Sequence, residues 1–369
     1  MNPTMEMNAH QVRRRVGWLP RGAKLVFVRE PQLYGWMNRW FASILFDEGQ
    51  FITIPVLNQV FLTSTPGPPT QTYTSDSTWN NSNNTVECVG AGASGGAVRA
   101  SANNVATGGG AGAYSLITNF NFATPGTTTA TYELGLGGAA ITQSASGSTA
   151  GNNGGATWFN SATDPGNGAD NTKCSAQGGF AGAVGANPQN GGAGGAATSS
   201  WGQTKNAGGR GGNSGSFTSV ATGGAGAGGP DGAGNQGVDG TGTQSATNGG
   251  TSDAGSDAGG TAGAGANGSG AQTGGNGGNG TKFDSSHGLG GGGGGARSTS
   301  NNVTGTGGSG GNYGGGGGGA IVTSPTGTTA VSGAGIQGLI VLTWTPAAGS
   351  FDWFKSFEIR PSRTIIRGY

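Results

Sequence analysis

Hydrophobic residues gather at the two ends of this chain and thin out between them. Near the start, Lys24-Leu-Val-Phe-Val-Arg29 alternates as a strand, and Phe51-Ile-Thr-Ile-Pro-Val-Leu57 reads as a second. Between them, Pro31 is placed to open a helix carrying Trp36, Trp40, Phe41, Ile44 and Leu45 at helical spacing. Residues 1–64 therefore read as a small α+β unit whose aromatic density suits either a core or an interface with a larger assembly. Pro66, Pro68 and Pro69, set among Ser and Thr, make 65–84 a stiff polar connection. Beyond it, short strand-like inserts punctuate a polar chain at 85–89, 113–122, 127–136, 156–159, 320–323 and 338–344, several of them β-branched or aromatic. Pro125-Gly126 supplies a turn between the second and third inserts and predicts a hairpin there.

Composition changes this picture. Of 369 residues, 85 are glycine, and all but seven of these lie between 90 and 338. Apolar residues make up 32% of the chain, too few to fill cores at the usual rate for this length, so an ordinary globular enzyme is a poor reading. The glycines are phased. Gly179, Gly182, Gly185, Pro188, Gly191 and Gly194 fall on one three-residue register, as do Gly223, Gly226, Gly229 and Gly232. Gly259, Ala262, Gly265, Gly268, Ala271, Gly274, Gly277 and Gly280 continue it, and Gly305 to Gly317 close it. Three residues per turn is the period of a polyproline-II-type helix, one edge of which would then carry no side chain and could be approached closely. The register breaks between runs and only 14 prolines are present, which excludes collagen. A flexible glycine-serine linker has the same composition; the phasing separates the two. The expected fold is mainly β with bundled polyglycine-II-type helices over 85–345, followed by a C-terminal segment, 346–369, packing on or near the N-terminal unit.

Charge is scarce: 17 Lys and Arg against 16 Asp and Glu, for a net charge of +1. Arg13, Arg14, Arg15, Arg21, Lys24, Arg29 and Arg39 make the start basic, but the whole lacks the cationic excess of a nucleic-acid binder. No run approaches 18 apolar residues, so no membrane insertion is expected, and the basic N-terminus lacks the apolar stretch of a secretory signal. Cys88 and Cys174 have no metal or redox spacing and read as free thiols, with their pairing open.

Chemical motifs weigh little. Val86-Glu-Cys-Val89 followed by Gly90, Gly92 and Gly95 matches strand plus GxGxxG, but in so glycine-rich a stretch such hits are expected by chance and the required helix is missing. His10 and His287 are the only histidines, and neither lies near a cysteine or a carboxylate pair with ligand spacing. Asp231, Asp239, Asp253 and Asp257 fit no calcium repeat. No catalytic residues, cofactor or metal are therefore expected, and an enzyme is not expected. The informative positions are bulky inserts between glycine runs: Trp158-Phe159, Trp201 with Lys205 and Arg210, Lys282, Phe283, Asp284 and His287, and Tyr313. At rod ends these would either plug gaps or form a recognition surface.

Thr78-Trp79, then 85–96, Gly108-Gly-Gly-Ala-Gly-Ala-Tyr114, Thr124-Pro-Gly126, Gly135-Leu-Gly-Gly138 and a closing Gly338-Leu-Ile-Val-Leu-Thr-Trp344 resemble the glycine-rich domain of bacteriophage tail fibres and related virion proteins. The later glycine runs with variable inserts are similar to the tip adhesins of T-even-like phages. The resemblance covers about 71–344 and departs from the pattern at Asn80–Asn84 and Ala93-Ser94. It implies a virion fibre or spike, assembled in the host cytoplasm and exposed on the particle. Its partners would be other virion proteins (tail, baseplate or capsid) and a host surface glycan or outer-membrane protein. The bulky inserts would then be receptor-contact loops. Trp18, Trp36, Trp40, Phe41, Phe351, Trp353, Phe354 and Phe357 would form the virion anchor. Fibres of this kind are often homotrimers, although the sequence has no heptads. A head or tail decoration fibre without a receptor, and an ice-binding polyglycine-II protein, are the competing expectations.

Overall fold

A computed structural model describes residues 57–64, 66–100 and 103–346, together with the backbone of four earlier strands. The chain is mainly β; two single-turn 3-10 helices, Ala197–Ser199 and Asp253–Gly255, are the only helices among the described residues. It divides into two units, one of 1–58, 76–80 and 344–369, the other of 59–75 and 81–343.

In the first unit, Met5–Met7, Lys24–Arg29, Trp40–Leu45 and Phe51–Thr53 pair in that order as an antiparallel sheet. The strands expected at 24–29 and from 51 are present. The helix expected to carry Trp40, Phe41, Ile44 and Leu45 is not: these residues form a strand paired with Lys24–Arg29 along its full length. Over six residues, an apolar run with aromatic and β-branched members fits either period, and partners on both sides decide for the strand. Trp18, Trp36, Phe351, Trp353, Phe354 and Phe357, and the C-terminal segment from 347, lie outside the described residues. The same unit holds a tight polar knot around Thr78. Its hydroxyl donates to Asp76 Oδ1 at 2.6 Å and accepts from Asn58 Nδ2 at 3.2 Å and Trp344 Nε1 at 3.1 Å. Trp79 and Trp344, both buried, pack with ring centroids 5.2 Å apart.

In the second unit, one five-stranded sheet runs in the order Thr204–Asn206, Tyr114–Thr118, Asn84–Val89, Leu339–Trp344, Asn58–Leu62. A four-stranded sheet runs Cys174–Ala176, Thr157–Phe159, Thr129–Glu133, Gln71–Thr74. Part of the stretch read as a connection is therefore a strand. The expected hairpin around Pro125-Gly126 does not form, because its two arms enter different sheets. Asparagine side chains redirect the chain between them. Asn84 accepts the Phe120 N–H at 2.8 Å and donates to the Phe120 carbonyl at 3.0 Å, and Asn81 holds Phe122 in the same way. Both phenylalanines are thereby buried against Phe159.

From Gly90 to Gly338 the chain runs back and forth between these sheets and a far end in extended segments that no sheet includes. Their N–H groups donate in rotation. Gly90, Ala93 and Gly96 donate to Ala113, Gly110 and Thr107; Ala91 and Ser94 to Gly155 and Asn152; Gly92 and Gly95 to Ile336 and Gly333. Every third residue faces the same neighbour. Segment 289–295 bonds on all sides, to segments holding Gly224, Gly250, Gly263, Gly275, Gly308 and Gly316. Such backbones leave no room for side chains. A Cβ added at Gly92 would lie 2.0 Å from the Gly315 carbonyl oxygen, and one at Gly95 would lie 2.3 Å from that of Gly318. Close packing therefore accounts for the GxGxxG match. Central segments such as 290–295 and 314–319 are unbroken glycine; outer ones such as 274–280 carry exposed asparagines, Asn276 and Asn279.

At the margins, asparagine carbonyls accept N–H groups that would otherwise face a missing neighbour. Asn153 takes Ala181, Asn213 takes Gly191, Asn248 takes Gly265, Asn276 takes Ser309 and Asn279 takes Asn312, all at 2.8–2.9 Å. At the far end the segments finish in small sheets. One runs Gly147–Thr149, Ala97–Arg99, Ala320–Val322, Ala296–Ser298, Ala266–Gly268, and the other Thr142–Gln143, Thr329–Val331, Thr304–Thr306, Gln272–Thr273. Turns at 144–146, 187–189, 214–220, 240–245, 269–271, 299–303 and 323–328 cap that end.

Candidate functional site

The bulky inserts sit at the end of the second unit where the chain enters and leaves it. There Gln59 Nε2 donates to Thr343 Oγ1 at 3.4 Å across neighbouring strands. Phe159 is fully buried, in edge-on contact with Phe120 and Phe122 and 6.3 Å from Tyr73, so it packs rather than presents a surface. Trp158, the next residue on that strand, is half-buried opposite Glu133 and Ser175.

Trp201 and Lys205 come together as expected, but they brace the loop at 160–173. Trp201 Nε1 donates to Asp170 Oδ1 at 3.0 Å, Lys173 Nζ lies 5.2 Å from its ring, and a side chain at Gly168 would collide with the indole. Lys205 Nζ donates to Asn167 Oδ1 and to the carbonyls of Gly168 and Ser200. Arg210 stands apart within an extended segment, bonded to Gln236 and 3.5 Å from Asp239.

The Lys282–His287 insert meets Tyr313 and Phe61. His287 stacks on Phe61 with centroids 3.9 Å apart and planes 6° apart, and lies 6.1 Å from the Tyr313 ring. Its Nδ1 bonds to Asp284, which also accepts the Ser286 and His287 N–H groups. Phe283 and the largely buried Tyr313 pack against Val89, Tyr114, Leu289 and Leu339. Lys282 Nζ donates to Asp231 Oδ2 at 2.5 Å and lies 3.7 Å from Oδ2 of Asp253, which has no solvent exposure. The Asp231 bond raises the Lys282 pKa, and the Lys282 bond lowers that of Asp231.

Two buried groups near this insert escape a motif search. Tyr114 donates its hydroxyl proton to Glu87 Oε2 at 2.5 Å. Burial pushes the Glu87 carboxyl above its usual range, against the lowering effects of the Tyr114 bond and Lys282. A raised folded pKa means that the stabilising, protonated form is fully present below the ordinary carboxylate range and is lost as pH rises through the raised value. Glu87→Gln keeps an acceptor for Tyr114 and removes the charge. It is expected to melt above the parent at about pH 7, with the gap closing towards about pH 4. Melting curves across that range check this; a gap independent of pH would rule it out.

At the far end, two arginines meet no carboxylate. Arg99 donates from Nε to Thr328 Oγ1, from Nη1 to the Ser144 carbonyl and from Nη2 to that of Pro325. Arg297, 5% exposed, donates from Nη1 to Asn267 Oδ1 at 3.0 Å, and its Nε is buried without a partner. The sequence does carry a signal for it, since Arg297 is the one charged residue between Asp284 and Asp352. Among the described residues no group of three metal-capable side chains converges. Compared with known proteins, the chain matches no family model and no curated protein.

Proposed function

We propose that the extended segments are polyglycine-II helices packed side by side, and that the chain is a bacteriophage virion adhesin, a tail fibre or spike that meets the host surface. The rotation of N–H donors through three neighbours supports the helix assignment, because a threefold screw presents each third residue to the same side. One observation carries the functional reading. The chain enters and leaves the glycine-rich unit at one end, and the opposite end closes in two small sheets and the turns that join their strands. An attachment through residues 1–58 and 344–369 to other virion proteins would leave those turns free.

In this reading the recognition surface lies at the far turns, which are rich in Ser, Thr and Asn, rather than at Trp201 or Lys282–His287, whose side chains are engaged within the chain. Loops on a rigid scaffold are where binding residues concentrate. Exchanging 214–219 or 299–303 for unrelated polar turns is expected to lower particle adsorption at least tenfold, whereas an exchange within 160–167 leaves it unchanged. Adsorption counts on host cells read the difference. Full adsorption with all far turns exchanged would favour a decoration fibre over an adhesin.

A further inference from the structure

Arg297 sits on Ala296–Ser298 in the far-end sheet, in register with Ile321 and Val98 on one side and Asn267 on the other. Val98, Ile321, Ala106 and Ala221 form an apolar cluster in that layer. A guanidinium beside such a cluster, 5% exposed and without an acidic partner, is costly unless something compensates its charge. Burial already lowers its pKa.

The hydrogen bonds show where compensation is missing. Nη1 is held by Asn267 Oδ1, and Asn267 is itself fixed by donating from Nδ2 to the Gln244 carbonyl. Nε has no partner, and among the described residues the one side-chain bond that Arg297 makes is from Nη1. Nε–H and Nη2–H point the same way along one edge of the guanidinium. That edge presents the two parallel donors that match two oxygens of one phosphate or carboxylate. Two strands away in the same sheet, beyond Ala320–Val322, the Arg99 cation is bonded only to neutral acceptors and adds to the positive potential of this end.

We propose that the unpaired edge of Arg297 is an oxyanion site for a phosphoryl group, with Asn267 as the positioning residue that holds Nη1 and leaves the other edge uncommitted. The site rests on the reading of the far end as the recognition surface, and it names the chemistry met there: a phosphorylated surface glycolipid. Nε has no solvent contact in the free chain, so anion binding requires a local opening of this end.

The full-length chain, labelled with 15N at arginine, is titrated with inorganic phosphate while the side-chain Nε–H signals are followed. One arginine signal, assigned by its absence in Arg297→Gln, is expected to shift saturably with millimolar affinity. By titration calorimetry, Arg297→Lys, which keeps charge without the fork, is expected to bind phosphate at least tenfold more weakly than the parent. Removing an uncompensated buried charge should leave Arg297→Gln at least as heat-stable as the parent in phosphate-free buffer, so a folding defect does not cloud the comparison. Vesicles carrying a phosphorylated glycolipid should capture the parent and not Arg297→Gln, and the dephosphorylated glycolipid should capture neither. Capture of neither form by any vesicle, with free phosphate still bound, would overturn the lipid-borne source. Absence of a saturable shift in the parent, or calorimetric phosphate binding by Arg297→Lys equal to the parent's, would overturn the site itself, while loss of adsorption on exchange of the far turns would still uphold the adhesin.

Discussion

Gly293→Ala is expected to lower the melting temperature of the glycine-rich unit by about 10–20 °C, whereas Gly242→Ala, the same chemical change, does not lower it. A Cβ at Gly293 would lie 1.9 Å from the Gly308 carbonyl oxygen. Gly293 is also bonded on two other sides, donating to Gly316 at 3.0 Å and accepting from Gly224 at 2.8 Å. The added methyl must push two backbones apart, and each backbone is held rigidly by its own neighbours. Overpacking costs about 1–3 kcal/mol, and every buried backbone group left unpaired adds about 1–3 kcal/mol. The total is roughly 5 kcal/mol, equivalent to a fall of about 10–20 °C in melting temperature at this size. Nothing lies within 4 Å of a Cβ at Gly242. Alanine there narrows the unfolded ensemble and is expected to be neutral or stabilising by about 0.5 kcal/mol. Melting temperatures of the two variants decide the matter, and equal values would show that glycine is not the packing element.

Phe159→Ala is expected to cost about 3–5 kcal/mol, the usual range for emptying a large buried aromatic site. Phe159 fastens the four-stranded sheet to the diverted stretch 119–122 through its contacts with Phe120 and Phe122. Its loss should lower the denaturant midpoint sharply while adsorption per folded molecule stays at the parental level. Unchanged stability with lost adsorption would return Phe159 to a contact role.

Much of the scaffold was legible because its signals are local. The inserts at 85–89, 156–159, 320–323 and 338–344 form strands within a residue or two of their expected bounds. Two features were not legible. The Trp40–Leu45 strand depends on partners on both sides, which a six-residue pattern cannot reveal. The failed hairpin depends on Asn81 and Asn84, side chains some forty positions from the residues they redirect. Three-residue phasing also runs on through turns. Gly185 and Pro188 keep the register of Gly182 although Gly185 lies in Val184–Ala186 and Pro188 in the turn beyond it, so phase does not mark where a segment ends. For the site, aromatic and charged inserts stood out in a chain of glycine, yet conspicuousness in composition is not exposure. Most of them are already satisfied by their neighbours. Arg297 is conspicuous by the same measure and combines burial, the lack of an acid and an Nε without a partner, which no linear pattern contains.

The asparagine amides along the margins carry one further consequence. A bundle whose members bond only sideways has no preferred number of members; like a crystal face, each margin would accept another row. Asn153, Asn213, Asn248, Asn276 and Asn279 end that growth by occupying the last donors with their own carbonyls. Width is thereby written in a handful of side chains. Duplicating one out-and-back pair together with its terminating asparagine would yield a broader body with more tips, built on unchanged rules of assembly.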